Sequence, residues 1–185
     1  MTGEGPLTSE RPIVGVIGSG SSEHAELAEP LGEWIASAGL DLVTGGGRGV
    51  MAAVSRGFHR ASGRRGVVIG VLPGRAEGSG YRSPDGYPNP WVELAIRTHL
   101  PLTGERGDEP MSRNAIIVLS SRAIVALPGG PGTASEARLA RKHGRPLIAY
   151  LGARGTIAGL RGEGLRVAAD LEEVARFIET RVRES

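Results

Sequence analysis

Ala123-Ile124-Val125-Ala126-Leu127-Pro128-Gly129-Gly130-Pro131-Gly132-Thr133-Ala134-Ser135-Glu136 runs from a wholly apolar stretch into a glycine-rich turn and out into helix-forming residues. A short run that is apolar at every position reads as a strand buried on both faces, the pattern of a parallel sheet. The glycines and prolines end that strand, and helical spacing resumes from Ala134 to about His143. Strand, tight turn and helix in this order form half of a βαβ unit.

The same alternation extends outward in both directions. Residues 13–18 predict a first buried strand and 19–22 a turn with helix-capping chemistry. Residues 23–38 predict a helix with Leu27, Leu31, Trp34 and Ile35 on its apolar stripe, stopped at Gly39. A second strand at 40–44 leads directly into Gly45-Gly46-Gly47-Arg48-Gly49, then a helix at 50–59 and a third strand at 66–72. Residues 73–90 are rich in glycine and proline and form the least regular stretch, long enough to suggest a functional loop. A short strand is expected within 91–100 and a helix at 108–120, with Met111, Ala115, Ile116 and Leu119 on one face. Late strands follow at 146–151 and 166–169, and an amphipathic helix at 171–183 closes the chain. No repeat or linker divides it. The expectation is one doubly wound α/β domain over 12–185, preceded by a disordered leader at 1–11 that has no apolar core and so is no signal peptide.

Composition narrows the function. With 185 residues, 39% hydrophobic and 23% charged, the chain suits a single soluble domain. The net charge of +2 is weak, its arginines are scattered with few aromatics between them, and Lys142 is the single lysine, which argues against a nucleic-acid surface. The absence of cysteine excludes disulfides, thiolate nucleophiles and cysteine-bound metal, and fits a cytoplasmic protein. No apolar run approaches the ~20 residues that span a bilayer. His24, His59, His99 and His143 show no metal-binding spacing, so no metal is expected.

Three strand-to-helix turns remain as candidate chemistry: Gly18-Ser19-Gly20-Ser21-Ser22, Gly45 to Gly49, and Gly129-Gly130-Pro131-Gly132-Thr133. Glycine permits positive φ and close approach of a ligand, and the amides at a helix start attract anions. In a doubly wound sheet all three would gather at the carboxyl edge. None fits the phosphate loop G-x-x-x-x-G-K-[ST], and the first lacks the third glycine of a dinucleotide fingerprint. Glu136 has two readings. Thr133-Ala134-Ser135-Glu136 fits a capping box in which Glu136 bonds back to the helix start; alternatively its carboxylate faces a sugar held over that start. Arg113, in Met111-Ser112-Arg113-Asn114, is either a solvated helix residue or a partner for phosphate or carboxylate. Trp91, Tyr81 and Tyr87 flank the long loop and either pack it or line a ring-binding pocket.

Gly45-Gly46-Gly47-Arg48-Gly49-Val50-Met51 and Pro128-Gly129-Gly130-Pro131-Gly132-Thr133-Ala134-Ser135-Glu136 together resemble the GGGxxG[LV]M and PGGxGTxxE motifs of the LOG family. Its members are cytokinin riboside 5′-monophosphate phosphoribohydrolases, often mislabelled lysine decarboxylases; molybdenum cofactor carrier proteins belong to the same superfamily. The resemblance covers roughly residues 12–151. It implies a Rossmann-like fold, a homodimer or homotetramer, and a nucleoside monophosphate or similar phosphorylated ligand. The implied binding residues are Gly18, Ser19, Gly45, Gly46, Gly47, Gly49, Met51, Arg113, Asn114, Pro128, Gly129, Gly130, Gly132 and Thr133. The implied catalytic pair is Arg113 and Glu136, cleaving the N-glycosidic bond with no cofactor. Two departures count against hydrolysis and leave anion binding intact. Asn114 stands where the family has lysine, and Ser135 where a glutamate is frequent. An Arg-Asn pair looks more like the carrier branch, for which molybdenum cofactor would be the ligand. Lysine decarboxylation by pyridoxal phosphate is rejected, because it needs a Schiff-base lysine and Lys142 lies at the far, polar end of its helix.

Overall fold

The computed structural model describes residues 11–77, 80–153, 155–160 and 164–184. The leader expected at 1–11 lies, apart from Arg11, outside them. The elements run β1 (Ile13–Ile17), α1 (Ala25–Ser37), β2 (Asp41–Thr44), α2 (Val50–Arg60), β3 (Val68–Leu72), β4 (Arg75–Glu77), β5 (Gly80–Arg82) and β6 (Leu94–Arg97). There follow α3 (Asn114–Ser120), β7 (Ala123–Ala126), α4 (Pro131–Lys142), β8 (Leu147–Tyr150), β9 (Val167–Ala168) and α5 (Leu171–Arg183). One sheet, parallel at every pairing, has the order β6-β3-β2-β1-β7-β8-β9. The chain winds from β1 through β2 and β3 to one edge, then returns to pair β7 on the other side of β1. Strand order therefore reverses between β1 and β7, the topological switch point of a Rossmann-like fold.

Side chains alternate along each strand and feed two apolar layers. Val14, Val16, Leu42, Val125 and Ile148 pack against Leu31 and Ile35 of α1, Phe58 of α2 and Ile178 of α5. On the other face Ile17, Ile124 and Ala126 meet Val118 of α3 and Ala134, Ala137 and Ala140 of α4. Helices α1 and α2 touch backbone to backbone: a Cβ on Gly32 would lie 2.0 Å from the Val54 carbonyl oxygen.

Three local expectations change. The irregular 73–90 stretch contains the small antiparallel hairpin β4–β5. Helix α3 begins at Asn114, not 108, because Pro110 disfavours helical geometry in the residue before it, and 106–112 folds into successive turns instead. Helix α1 begins at Ala25, after His24 in the left-handed region at φ 44°. Among the described α-helices, α5 is the one whose start carries a side-chain cap. Asp170 Oδ1 accepts the Glu173 N–H at 2.9 Å, and Glu173 Oε2 accepts the Ala169 N–H at 3.0 Å. Asp170→Ala is expected to lower unfolding free energy by about 1 kcal/mol in a denaturant titration; an unchanged midpoint would show that this cap does not hold α5.

Candidate functional site

Of the two readings of Thr133-x-x-Glu136, the capping box does not form. Helix α4 starts at Pro131, with Gly130 as N-cap and no side-chain cap. Proline suits the first helical position, since its φ is preset and the amide it lacks would be unpaired anyway. The helix therefore begins two residues before Thr133, and Glu136 sits inside it, lining a cleft. The N–H groups of Gly130, Gly132 and Thr133 precede the first intrahelical donor, Ala134, which bonds the Gly130 carbonyl at 3.1 Å. None of the three has an acceptor among the described residues. They lie beside the switch point and carry the positive end of the helix dipole.

The other two glycine turns use their amides differently. The Ser19 N–H donates to the Pro128 carbonyl at 3.0 Å, and the Ser19 carbonyl accepts the Val50 N–H at 2.9 Å, so Ser19 ties all three turns together. Its Oγ accepts the N–H groups of Ser21 and Ser22 at 3.2 and 3.0 Å, capping the turn itself and not α1. In the second turn the Gly46 N–H donates to Thr44 Oγ1 at 3.0 Å and the Gly47 N–H to Met51 Sδ at 3.4 Å. Gly49, at φ 63°, is required by contact: a Cβ there would lie 2.3 Å from the Ser19 carbonyl oxygen. Among the described residues, the third turn is the one whose unpaired amides lie at the start of a long helix.

That cleft holds about 360 Å³. The structure brings Gly18, Ser19, Gly45, Met51, Arg113, Asn114, Gly130, Gly132, Thr133 and Glu136 together on its walls. Gly46, Gly47, Gly49, Pro128 and Gly129, implied as ligand residues by the motifs, do not line it and shape the turns behind. Gly129, for example, has room for nothing larger, since a Cβ would meet Thr133 Oγ1 at 2.1 Å. Thr103 and Gly104 line the cleft without having been anticipated, because nothing in their local sequence marks them. Of the aromatics, Tyr87 lines it, while Trp91 packs on His59 with ring centroids 5.5 Å apart; the Tyr81 side chain lies outside the described residues.

Arg113 is 5% exposed. Its Nη1 donates to the carbonyls of Gly45 and Val71, at the carboxyl ends of β2 and β3, while Nε has no partner. Burial lowers its pKa, against the opposing pull of Tyr87 and Glu136. With one nitrogen tied to the sheet, the guanidinium is not a free two-pronged clamp. Burial also pushes the Glu136 carboxyl up to about 7, an effect that the attraction of Arg113 only partly offsets. Ser135 is fully buried; its Oγ lies 2.9 Å from the Gly104 carbonyl oxygen and 2.7 Å from that of Gly132, bonding the 103–107 loop to α4. A hydroxyl there is a loop anchor.

A parallel sheet whose switch point opens into a cleft walled by free helix amides, a buried arginine and a half-buried carboxyl defines a Rossmann-like protein. The chain belongs to the SLOG cluster4 family, whose sequence profile it matches over residues 11–174. It is 34% identical over 166 residues to an uncharacterised protein of Archaeoglobus fulgidus, covering 89% of this chain and 92% of that one. Among solved structures it is similar to the molybdenum cofactor carrier protein of Chlamydomonas reinhardtii, at 30% identity and TM-score 0.69 over 95% of this chain and 100% of that one. It is also similar to the molybdenum cofactor binding protein of the phototrophic bacterium Rippkaea orientalis, at 29% identity and TM-score 0.68 over 94% and 98% of the two chains. Among the described residues, no helix is long and apolar enough to cross a membrane.

Proposed function

We propose that the chain binds a phosphorylated, ring-bearing small molecule, a nucleoside 5′-monophosphate or a phosphorylated pterin of the molybdenum-cofactor class, and holds it without turnover. The observation that carries this reading is the set of uncommitted N–H groups on Gly130, Gly132 and Thr133, which would take the phosphate. The carrier proteins among the relatives and the Asn114 neighbour of Arg113 support holding over hydrolysis. On this reading a pterin would be cargo, and the protein needs no cofactor of its own.

One observation favours a second reading, hydrolysis of the N-glycosidic bond to free base and ribose 5-phosphate. A carboxyl titrating at about 7 is available in both forms near neutrality. As the bond from the anomeric carbon to the base breaks, water supplies the new oxygen and the base departs with a proton. Ionised Glu136 would stabilise the positive charge on the sugar, and Arg113 would orient Glu136. Purified protein incubated with AMP separates the two. The holding reading expects binding with AMP recovered intact. Adenine release that Glu136→Gln abolishes, at unchanged melting temperature, would establish hydrolysis instead, and failure to bind AMP, ribose 5-phosphate or a phosphorylated pterin would overturn both.

We also propose that the chain works as a homo-oligomer. On β6, Leu94 is 49% and Ile96 38% exposed, and their register with Ile69 and Val71 puts them on the sheet face that α3 covers only in part. Light scattering should give a multiple of the 19.2 kDa chain mass; a monomer would refute the idea.

A further inference from the structure

The second glycine turn, Gly45 to Gly49, has another task here. Gly47 lies against Tyr87: a Cβ on that glycine would come 2.7 Å from the ring atom Cε1. The segment bearing Tyr87 is fastened to the same turn by Asn89, itself 4% exposed. Its N–H donates to the Gly46 carbonyl at 2.8 Å, its Nδ2 to the Gly47 carbonyl at 2.8 Å, and its Oδ1 accepts the Trp91 N–H at 3.0 Å. The Arg113 guanidinium carbon lies 5.4 Å from the Tyr87 ring centroid. The ring is thus held by backbone and cation at a fixed place, half-buried, on the cleft wall. Met51 stands beside it, its Cε within 2.9 Å of where a Gly47 Cβ would be. One cleft is consequently lined both by free amides of the third turn and by an aromatic ring and thioether.

Resting on the phosphate anchor proposed above, we propose that Tyr87 is the specificity-determining residue for the ligand's planar ring, packing against a heterocycle while the amides hold the phosphate, and that Asn89 is its positioning residue. Gly47 of the second turn then serves the ring by making room for Tyr87.

Titration calorimetry with AMP and with ribose 5-phosphate tests this, since the two share the phosphate and sugar and differ in the ring. The native protein is expected to bind AMP about tenfold more tightly than ribose 5-phosphate, the scale of one base stacked on an aromatic side chain. Tyr87→Ala should reduce that preference to within about twofold without altering ribose 5-phosphate affinity, and Tyr87→Phe should retain it. Asn89→Ala should fall between. Ribose 5-phosphate binding by each variant verifies that the fold and anchor are intact. If the native protein binds both ligands equally, or Tyr87→Ala keeps the preference for AMP, the ring role is overturned while the phosphate anchor stands. Should neither ligand bind the native protein, the nucleotide reading of the site falls instead.

Discussion

Replacing Gly130 with aspartate is expected to weaken ribose 5-phosphate and AMP binding by at least about a hundredfold while keeping or raising the melting temperature, an opposition of signs that follows from one set of amides. Gly130 is the N-cap of α4, with extended backbone at φ −98° and ψ −160°. Any residue can adopt that geometry, and a Cβ there would have no neighbour within 4 Å. Aspartate is among the preferred N-caps because its carboxylate accepts the second and third helical amides, here those of Gly132 and Thr133. It would occupy the donors that a phosphate needs and place a like charge beside them. Calorimetry with ribose 5-phosphate and a thermal melt on the same preparation decide the matter. Undiminished binding would mean that the phosphate sits elsewhere. A large fall in melting temperature would mean that Gly130 is needed for the fold and not for the ligand.

The architecture was legible because buried parallel strands are apolar at every position, and a glycine turn after such a strand marks the carboxyl edge. Ala123–Ala126 falls within one residue of where that pattern ends, and Asp41–Thr44, polar at both ends around Leu42 and Val43, within one residue of the strand expected at 40–44. What stayed hidden was set by hydrogen bonds between segments distant in sequence. Composition treats the three glycine turns alike, yet Ser19 bonds Pro128 and Val50, Asn89 takes the Gly46 and Gly47 carbonyls, and the amides of Gly130, Gly132 and Thr133 at the start of α4 have no acceptor among the described residues. Glu136 was ambiguous for a related reason. T-x-x-E is a capping pattern only if the helix starts at its first residue, and Pro131 starts it earlier. Arg113 showed the converse: a residue that looks solvated in a linear reading is buried because β2 and β3 end on carbonyls that need its donors.

Glu136 should make both stability and ligand affinity depend on pH in a window that sequence would not suggest for a carboxylate. Its pKa is raised from the ordinary 4.5 to about 7 in the fold. The folded protein therefore holds this proton more tightly than the unfolded chain does. That contribution is greatest below about pH 4.5, declines as pH rises, and is gone above about 7, where the charged form is half-buried at a cost. Glu136→Gln removes the titration. Relative to the native protein it should gain about 2 kcal/mol between pH 5 and pH 8, a value already reduced for the partial exposure of the carboxyl to the cleft. Urea titrations at the two pH values measure this directly, and parallel curves for the two proteins would refute the burial argument. The ligand adds a second, reciprocal effect. A phosphate on the α4 amides brings negative charge near Glu136 and raises its pKa further, so binding near pH 7.5 should take up protons. Calorimetry in two buffers of different ionisation enthalpy would then give different apparent binding enthalpies for the native protein and nearly equal ones for Glu136→Gln. If uptake persists in the variant, the proton goes to the phosphate itself, and Glu136 is not electrostatically coupled to the anion site.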